Sequence, residues 1–242
     1  MASLYLDPAL PADVVAGSRV RLEGDEARHA ITVARVRVGE RIAIGDGAGR
    51  VVRGTVAATD GGAVELDVGD VSITPRPTPE IWLAQALAKG DRDELAIQAA
   101  TELGAAGVIP WAAERSVSRW VGPKAAKGRA RWATIVREAA KQSLRPHVPD
   151  VAEPATTADL AALPGLVLVL EPEAAVPLTA APLDDAERIT LVVGPEGGIA
   201  PGELELLARS GALPVRLGAE VLRTSTAGPA AIAALHVRGG RW

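Results

Sequence analysis

Two hydrophobic periods divide the chain. Up to about residue 73 the apolar positions fall in short runs with partial period-2 alternation, over 18–22, 35–38, 41–44, 51–56 and 63–68. Gly-rich turns punctuate these runs, and a helical stretch over 24–33 interrupts them. Short strands at this spacing predict a small β-barrel or sandwich. Three prolines between Thr74 and Pro79 cannot continue a sheet or a helix, and they mark a stiff linker. The expected organisation is a β domain over 1–73, a linker over 74–79 and a second domain over 80–242.

Beyond the linker the pattern alternates between strand and helix. Strands are expected over 81–87, 108–111, 166–170, 189–193 and 213–217. Helices are expected over 91–103, 124–144, 201–209 and 226–237. The runs at 166–170 and 189–193 are continuously apolar, as in strands buried on both faces of a parallel sheet. The long helix places Trp132, Ile135, Val136 and Ala139 on one face. Strand and helix in turn predict an α/β domain with a parallel sheet.

Composition narrows the chemistry. With five Trp, one Tyr and no Phe, the core must be built from Ala, Val, Leu and Ile. The absence of Cys excludes disulfides, Cys-ligated zinc and a thiolate nucleophile. His29, His147 and His236 are far apart and carry no metal-binding spacing, so no metal is expected. No apolar run approaches the roughly 20 residues of a membrane helix. The N-terminal stretch lacks the basic residues of a secretory signal, so a cytoplasmic protein without membrane association is expected. The net charge is −4, yet residues 111–149 hold nine Lys and Arg against two acids. Such a segment is either a phosphate-binding surface or a solvated helix paired with acids elsewhere.

In an open parallel sheet, ligands sit beyond the carboxyl ends of the strands. The strand at 189–193 runs into Gly194-Pro-Glu-Gly-Gly198, the strand at 213–217 into 218–227, and the strand at 166–170 into Glu171-Pro172. Three such loops side by side would hold a flat heterocycle and a charged tail through main-chain hydrogen bonds. No P-loop or GxGxxG fingerprint competes with them.

These loops carry a resemblance. Gly194-Pro-Glu-Gly-Gly198 with Glu203, and Leu217-Gly218 with Val221-Leu-Arg-Thr224 and Thr226-Ala227, resemble the cofactor loops of the bacterial 16S ribosomal RNA (uracil-N3)-methyltransferases, the RsmE family of the SPOUT superfamily. Lys89-Gly-Asp-Arg92, Glu94, Thr101-Glu-Leu-Gly104, Glu114-Arg-Ser116, Arg131-Trp132, Glu138-Ala-Ala-Lys-Gln-Ser143, Arg145 and Pro149 follow the family order. Arg28-His29, Val33 and Arg35 resemble its first-domain motif. Ser225, Ile199 and Arg28 depart from residues common in the family.

The resemblance implies a PUA-like β-barrel, then an α/β SPOUT domain with a deep C-terminal trefoil knot. It implies a homodimer, S-adenosylmethionine as cofactor, and 16S rRNA of the small ribosomal subunit as partner. The cofactor-binding residues it implies are Leu170, Glu171, Gly194, Pro195, Glu196, Gly197, Gly198, Leu217, Gly218, Leu222, Arg223, Thr224 and Thr226. Arg145 is assigned to charge stabilisation or to a phosphate clamp. Glu196 is assigned to orienting the cofactor or accepting a proton. Arg28, His29, Arg35, Arg92, Arg115, Arg119, Lys124, Lys127, Arg129, Arg131 and Arg137 are the expected RNA contacts. Methylation at uracil C5 usually needs a Cys nucleophile, which this chain lacks. A SPOUT ribose 2′-O-methyltransferase typically relies on an Asn, and the chain has none. A non-catalytic RNA-binding or assembly factor is the remaining alternative, opposed by the intact loops.

Overall fold

The computed structural model describes residues 3–183 and 185–242. The chain forms two compact units. One contains the residues through Arg76 together with Ala140–Val148; the other contains Pro77–Ala139 and Pro149–Trp242.

The first unit is a five-stranded sheet with a helix. Its elements are β1 (Leu4–Leu6), β2 (Arg19–Leu22), α1 (Gly24–Thr32), β3 (Arg41–Gly45), β4 (Arg50–Asp60) and β5 (Ala63–Ile73). The strand order is β1-β3-β4-β5-β2. The β4–β5 hairpin turns through Gly61 and Gly62, with φ of 58° and 82°, the left-handed pair that matches strand twist. Alternation in β2 puts Val20 and Leu22 inward, where they join Tyr5, Ile42, Ile44, Val52, Val64 and Leu66 in one core.

Residues 35–38 are not the strand that their alternation suggested. They lie in an exposed connection between α1 and β3, with Arg35 left-handed at φ 55°. Val36 turns half inward while Val38 stays exposed, so the run has no second row to pair. The short buried strand β1 carries too few residues to show a period.

The loop Gly45-Asp-Gly-Ala-Gly49 receives the segment that follows the long helix. Gly49 N–H donates to the Pro146 carbonyl at 3.0 Å, and Val148 N–H to the Gly47 carbonyl at 2.9 Å. A Cβ at Gly49, where φ is 115°, would stand 2.7 Å from the His147 ring. The glycines admit this close approach. The expected second domain was one continuous piece, whereas 140–148 packs with the first unit. The buried Lys141 ammonium also meets Glu26 at 3.1 Å within that unit.

The second unit is a parallel sheet with helices. Its elements are β6 (Glu80–Ala86), α2 (Arg92–Glu102), β7 (Gly107–Trp111), α3 (Pro123–Gln142, whose end counts with the first unit), β8 (Asp150–Val151), α4 (Thr157–Ala161), β9 (Leu166–Leu170), β10 (Val176–Pro177), β11 (Arg188–Val193), α5 (Pro201–Arg209), β12 (Leu213–Arg216) and α6 (Thr224–Arg238). The order is β10-β12-β9-β11-β6-β7-β8, and every pairing is parallel. Strand order reverses beside β6, which makes the carboxyl ends there a topological switch point. Register aligns Gln85 with Val193, Val193 with Leu170, and Leu170 with Val215. The loops after β9, β11 and β12 therefore leave the sheet side by side.

Candidate functional site

Those three loops enclose a cavity of about 480 Å³ within the second unit. That volume lies in the range of small-molecule sites. Leu170, Glu171, Gly194, Pro195, Glu196, Gly198, Leu217, Gly218, Leu222, Arg223 and Thr224 all line it. Gly197 and Thr226 do not. Pro172, Val193, Ile199, Val215, Glu220, Val221 and Ala227 complete the wall, and so does Arg92 from the start of α2.

A buried hydroxyl ties the loops together. Thr224 opens α6, and its Oγ1 donates to the Gly194 carbonyl at 2.8 Å. The same oxygen accepts from Gln85 Nε2 at 2.8 Å, while Gln85 Nε2 also donates to the Ala86 carbonyl. The ends of β6 and β11 are thus pinned to the first turn of α6. Gln85 is fully buried near the end of β6, within a stretch that is otherwise apolar from Ile81 onward. That single amide in the run over 81–87 was the available sign of its role.

The glycines divide into two kinds. A Cβ at Gly194 would lie 2.7 Å from Ile199 Cγ1, and Gly198 is left-handed at φ 72°. Gly197 has neither constraint: its Cβ would meet Arg115 at an ordinary 3.4 Å. A side chain there would point to Arg115, so the part of Gly197 left to face a ligand is its main chain.

Glu196 is held as a carboxylate. Burial pushes its pKa up, but hydrogen bonds from its own N–H, from Arg92 and from Lys89 N–H, with the charge of Arg92, bring it below the usual value. Arg92 lies 2.9 Å away and Lys89 N at 3.2 Å. These bonds tie the Gly-rich turn to the start of α2, so orientation of the loop is the role that its geometry fits.

The expected cationic surface is largely engaged. Arg131 pairs with Glu94, and Arg129 with Glu153 at 2.9 Å and the Val151 carbonyl at 3.1 Å. Arg119 donates to the Glu114 carbonyl at 2.7 Å, and Arg115 to the Gly197 carbonyl at 3.1 Å. Arg28 pairs with Asp25, Arg137 is half-buried, and His29, Arg35, Lys124 and Lys127 are exposed. Trp120 packs edge-on against Trp132, ring centroids 5.3 Å apart, so it belongs to the packing over α3.

Arg145 does not line the cavity. It follows left-handed Leu144 in the segment that packs with the first unit. Burial, with the nearby charge of Arg76, lowers its guanidinium to about 10. Within one chain the cavity's own guanidiniums are Arg92 and Arg223.

Glu203 was legible as a motif residue but not as a hub. Its buried carboxylate accepts from Glu114 N at 2.9 Å, Thr157 Oγ1 at 2.6 Å and Ala200 N at 3.3 Å. It thereby fixes the loop after β7, whose Arg115 reaches the loop after β11. Among the described residues no cluster of His, Cys, Asp and Glu suits a metal ion. No helix is long and apolar enough to cross a membrane among them.

Comparisons with known proteins agree with this geometry. A family model described as an RNA methyltransferase domain matches residues 74–236, and one described as an RNA methyltransferase PUA domain matches 22–69. The ribosomal RNA small subunit methyltransferase E of Mycobacterium tuberculosis is 41% identical over 249 aligned positions, covering 100% of this chain and 94% of the relative. Its Bacillus subtilis counterpart is 31% identical, covering 88% of each. The crystal structure of the Neisseria gonorrhoeae enzyme bound to S-adenosyl methionine superposes with a TM-score of 0.86 at 30% identity, covering 98% of both chains.

Proposed function

The chain belongs to the RNA methyltransferase family that includes ribosomal RNA small subunit methyltransferase E, and from that membership we propose that it methylates N3 of a uridine in 16S rRNA. The observation that carries the reading is the cavity at the switch point, built from three adjacent strand-end loops. S-adenosylmethionine supplies an electrophilic methyl group on a sulfonium centre. The residues present fit it: Leu170, Val193, Ile199, Val215 and Leu217 offer an apolar bed for a flat base, and Glu171 and Glu220 offer carboxylates for the ammonium of a polar tail.

The acceptor has to lose its N3 proton to solvent, and the negative charge spreads onto the flanking uracil oxygens. A guanidinium aimed at that charge lowers the barrier. Arg92 is engaged by Glu196, whereas Arg223 has no ion pair among the described residues and lines the cavity. Arg223 is therefore the charge stabiliser within one chain. Thr224 and Gln85 hold the loops in register, and Glu196 orients the Gly-rich turn through Arg92. The reading includes the homodimer, the knotted C-terminal segment and the cytoplasmic location that the resemblance implies. The first unit serves as the PUA-like RNA-binding domain.

The test is transfer of labelled methyl from S-adenosylmethionine to undermethylated small-subunit rRNA. Saturation at one methyl per rRNA supports the reading. Cofactor binding without transfer to free rRNA or assembled subunit would favour the non-catalytic assembly factor.

A further inference from the structure

Charge along the sequence points to residues 111–149, where Lys124 and Lys127 are exposed without an ion pair, but the arginines left without a partner lie elsewhere. The guanidiniums of Arg115, Arg119, Arg129 and Arg131 are each engaged by a carbonyl or a carboxylate. On the first unit the same neutralisation covers one face. Arg19 and Arg21 of β2 pair with Glu65, Asp67 and Glu23, and Arg53 of β4 with Asp70.

The connection from α1 to β3 is different. Arg35, Arg37 and Arg41 are all exposed, and none has an ion pair or side-chain hydrogen bond among the described residues. Glu40 is the one acid in 33–41. Val33 and Val38 are 66% and 62% exposed beside them. The backbone is anchored beneath, by Val36 N–H to the Ala30 carbonyl and Gly39 N–H to the Val56 carbonyl. Arg35 is held left-handed, a conformation that costs free energy for a residue with a side chain. Three unpaired guanidiniums on an anchored ridge suit an acidic polymer, because each can donate to a phosphate without first breaking an ion pair.

We infer that the ridge formed by Arg35, Arg37 and Arg41 on the first unit is a docking surface for the phosphate backbone of the substrate RNA. The inference rests on the RNA-methylating reading. It adds this ridge to the exposed Lys124 and Lys127 of α3, which likewise have no ion pair among the described residues.

The test measures binding of undermethylated 16S rRNA across a salt series. The wild-type chain is compared with Arg35→Gln/Arg37→Gln/Arg41→Gln, and with Arg37→Gln/Arg41→Gln, which leaves the left-handed residue untouched. Amide hydrogen exchange over the strands of the first unit verifies that each variant is folded. Three lost phosphate contacts lower the slope of log K against log salt by about 2, at roughly 0.7 per contact on single-stranded RNA. With the electrostatic part vanishing near 1 M salt, that is about 100-fold in affinity at 0.1 M. The double variant shows about two-thirds of that slope change. Arg19→Gln/Arg21→Gln, on the neutralised face, leaves the slope unchanged.

Equal slopes for wild type and triple variant would overturn the inference. Weakened binding to the assembled subunit with unchanged binding to naked rRNA would overturn it too, in favour of a protein partner. Failure of the methylation reading is a separate outcome: the wild-type chain would bind rRNA without methylating it.

Discussion

Replacing Thr224 by Val removes one oxygen and leaves the shape nearly unchanged. That oxygen serves two groups, the Gly194 carbonyl and the Gln85 amide, each at 2.8 Å. Thr224 is 7% exposed, so water cannot readily replace the hydroxyl. Leaving a buried polar group unmet costs about 1–3 kcal/mol. Gln85 Nε2 retains the Ala86 carbonyl at 3.1 Å, so the second loss is partial and the total is about 2–4 kcal/mol. All five Trp lie in the second unit, so tryptophan fluorescence reports its unfolding alone. With an m-value of about 2 kcal/mol per molar urea, the midpoint falls by about 1–2 M. Affinity for S-adenosylmethionine falls as well, because the loops after β6 and β11 lose their common pin. Thr224→Ser keeps the hydroxyl and restores both quantities most of the way. A Thr224→Val chain with wild-type midpoint and wild-type affinity would refute the reasoning.

Three further outcomes are expected. Gly194→Ala forces Ile199 aside, at about 1–3 kcal/mol, and weakens S-adenosylmethionine binding in calorimetry, whereas Gly197→Ala leaves it unchanged. Glu203→Ala frees Glu114 N–H and Thr157, so hydrogen exchange over 112–116 accelerates while the first unit exchanges as before. Burial raises the Asp93 carboxyl above its ordinary 3.8, against hydrogen bonds from the Ala88 and Glu94 amides. A raised acid pKa favours the fold at low pH and loses that contribution as pH rises through the folded value. Urea titrations above pH 3.8 should show this loss in the wild type and not in Asp93→Asn.

Much of the fold was legible because its signals are local. The continuously apolar runs at 166–170 and 189–193 have the shortness and β-branched content of strands covered on both faces, and they are β9 and most of β11. Pro201 stands at the first helical position of α5, where its fixed φ and missing N–H suit a helix start. What escaped depends on partners distant in sequence. Charge counting located the cations of 111–149 but not Glu94 and Glu153, which engage two of them. Glycine spacing singled out 194–198, yet only the three-dimensional turn separates Gly194, which faces Ile199, from Gly197, which faces Arg115. Nothing in the local pattern of 140–148 foretells that its backbone seats on Gly47 and Gly49, nearly a hundred positions earlier. Gln85 looked like one polar residue in a strand until Thr224 arrived beside it.

The most direct measurement is the chemical identity of the product. Small-subunit rRNA lacking the modification is incubated with the chain and methyl-labelled S-adenosylmethionine, digested to nucleosides and separated. The account predicts that the label elutes as 3-methyluridine. Label in a 2′-O-methyl nucleoside, or in any other methylated base, would contradict it.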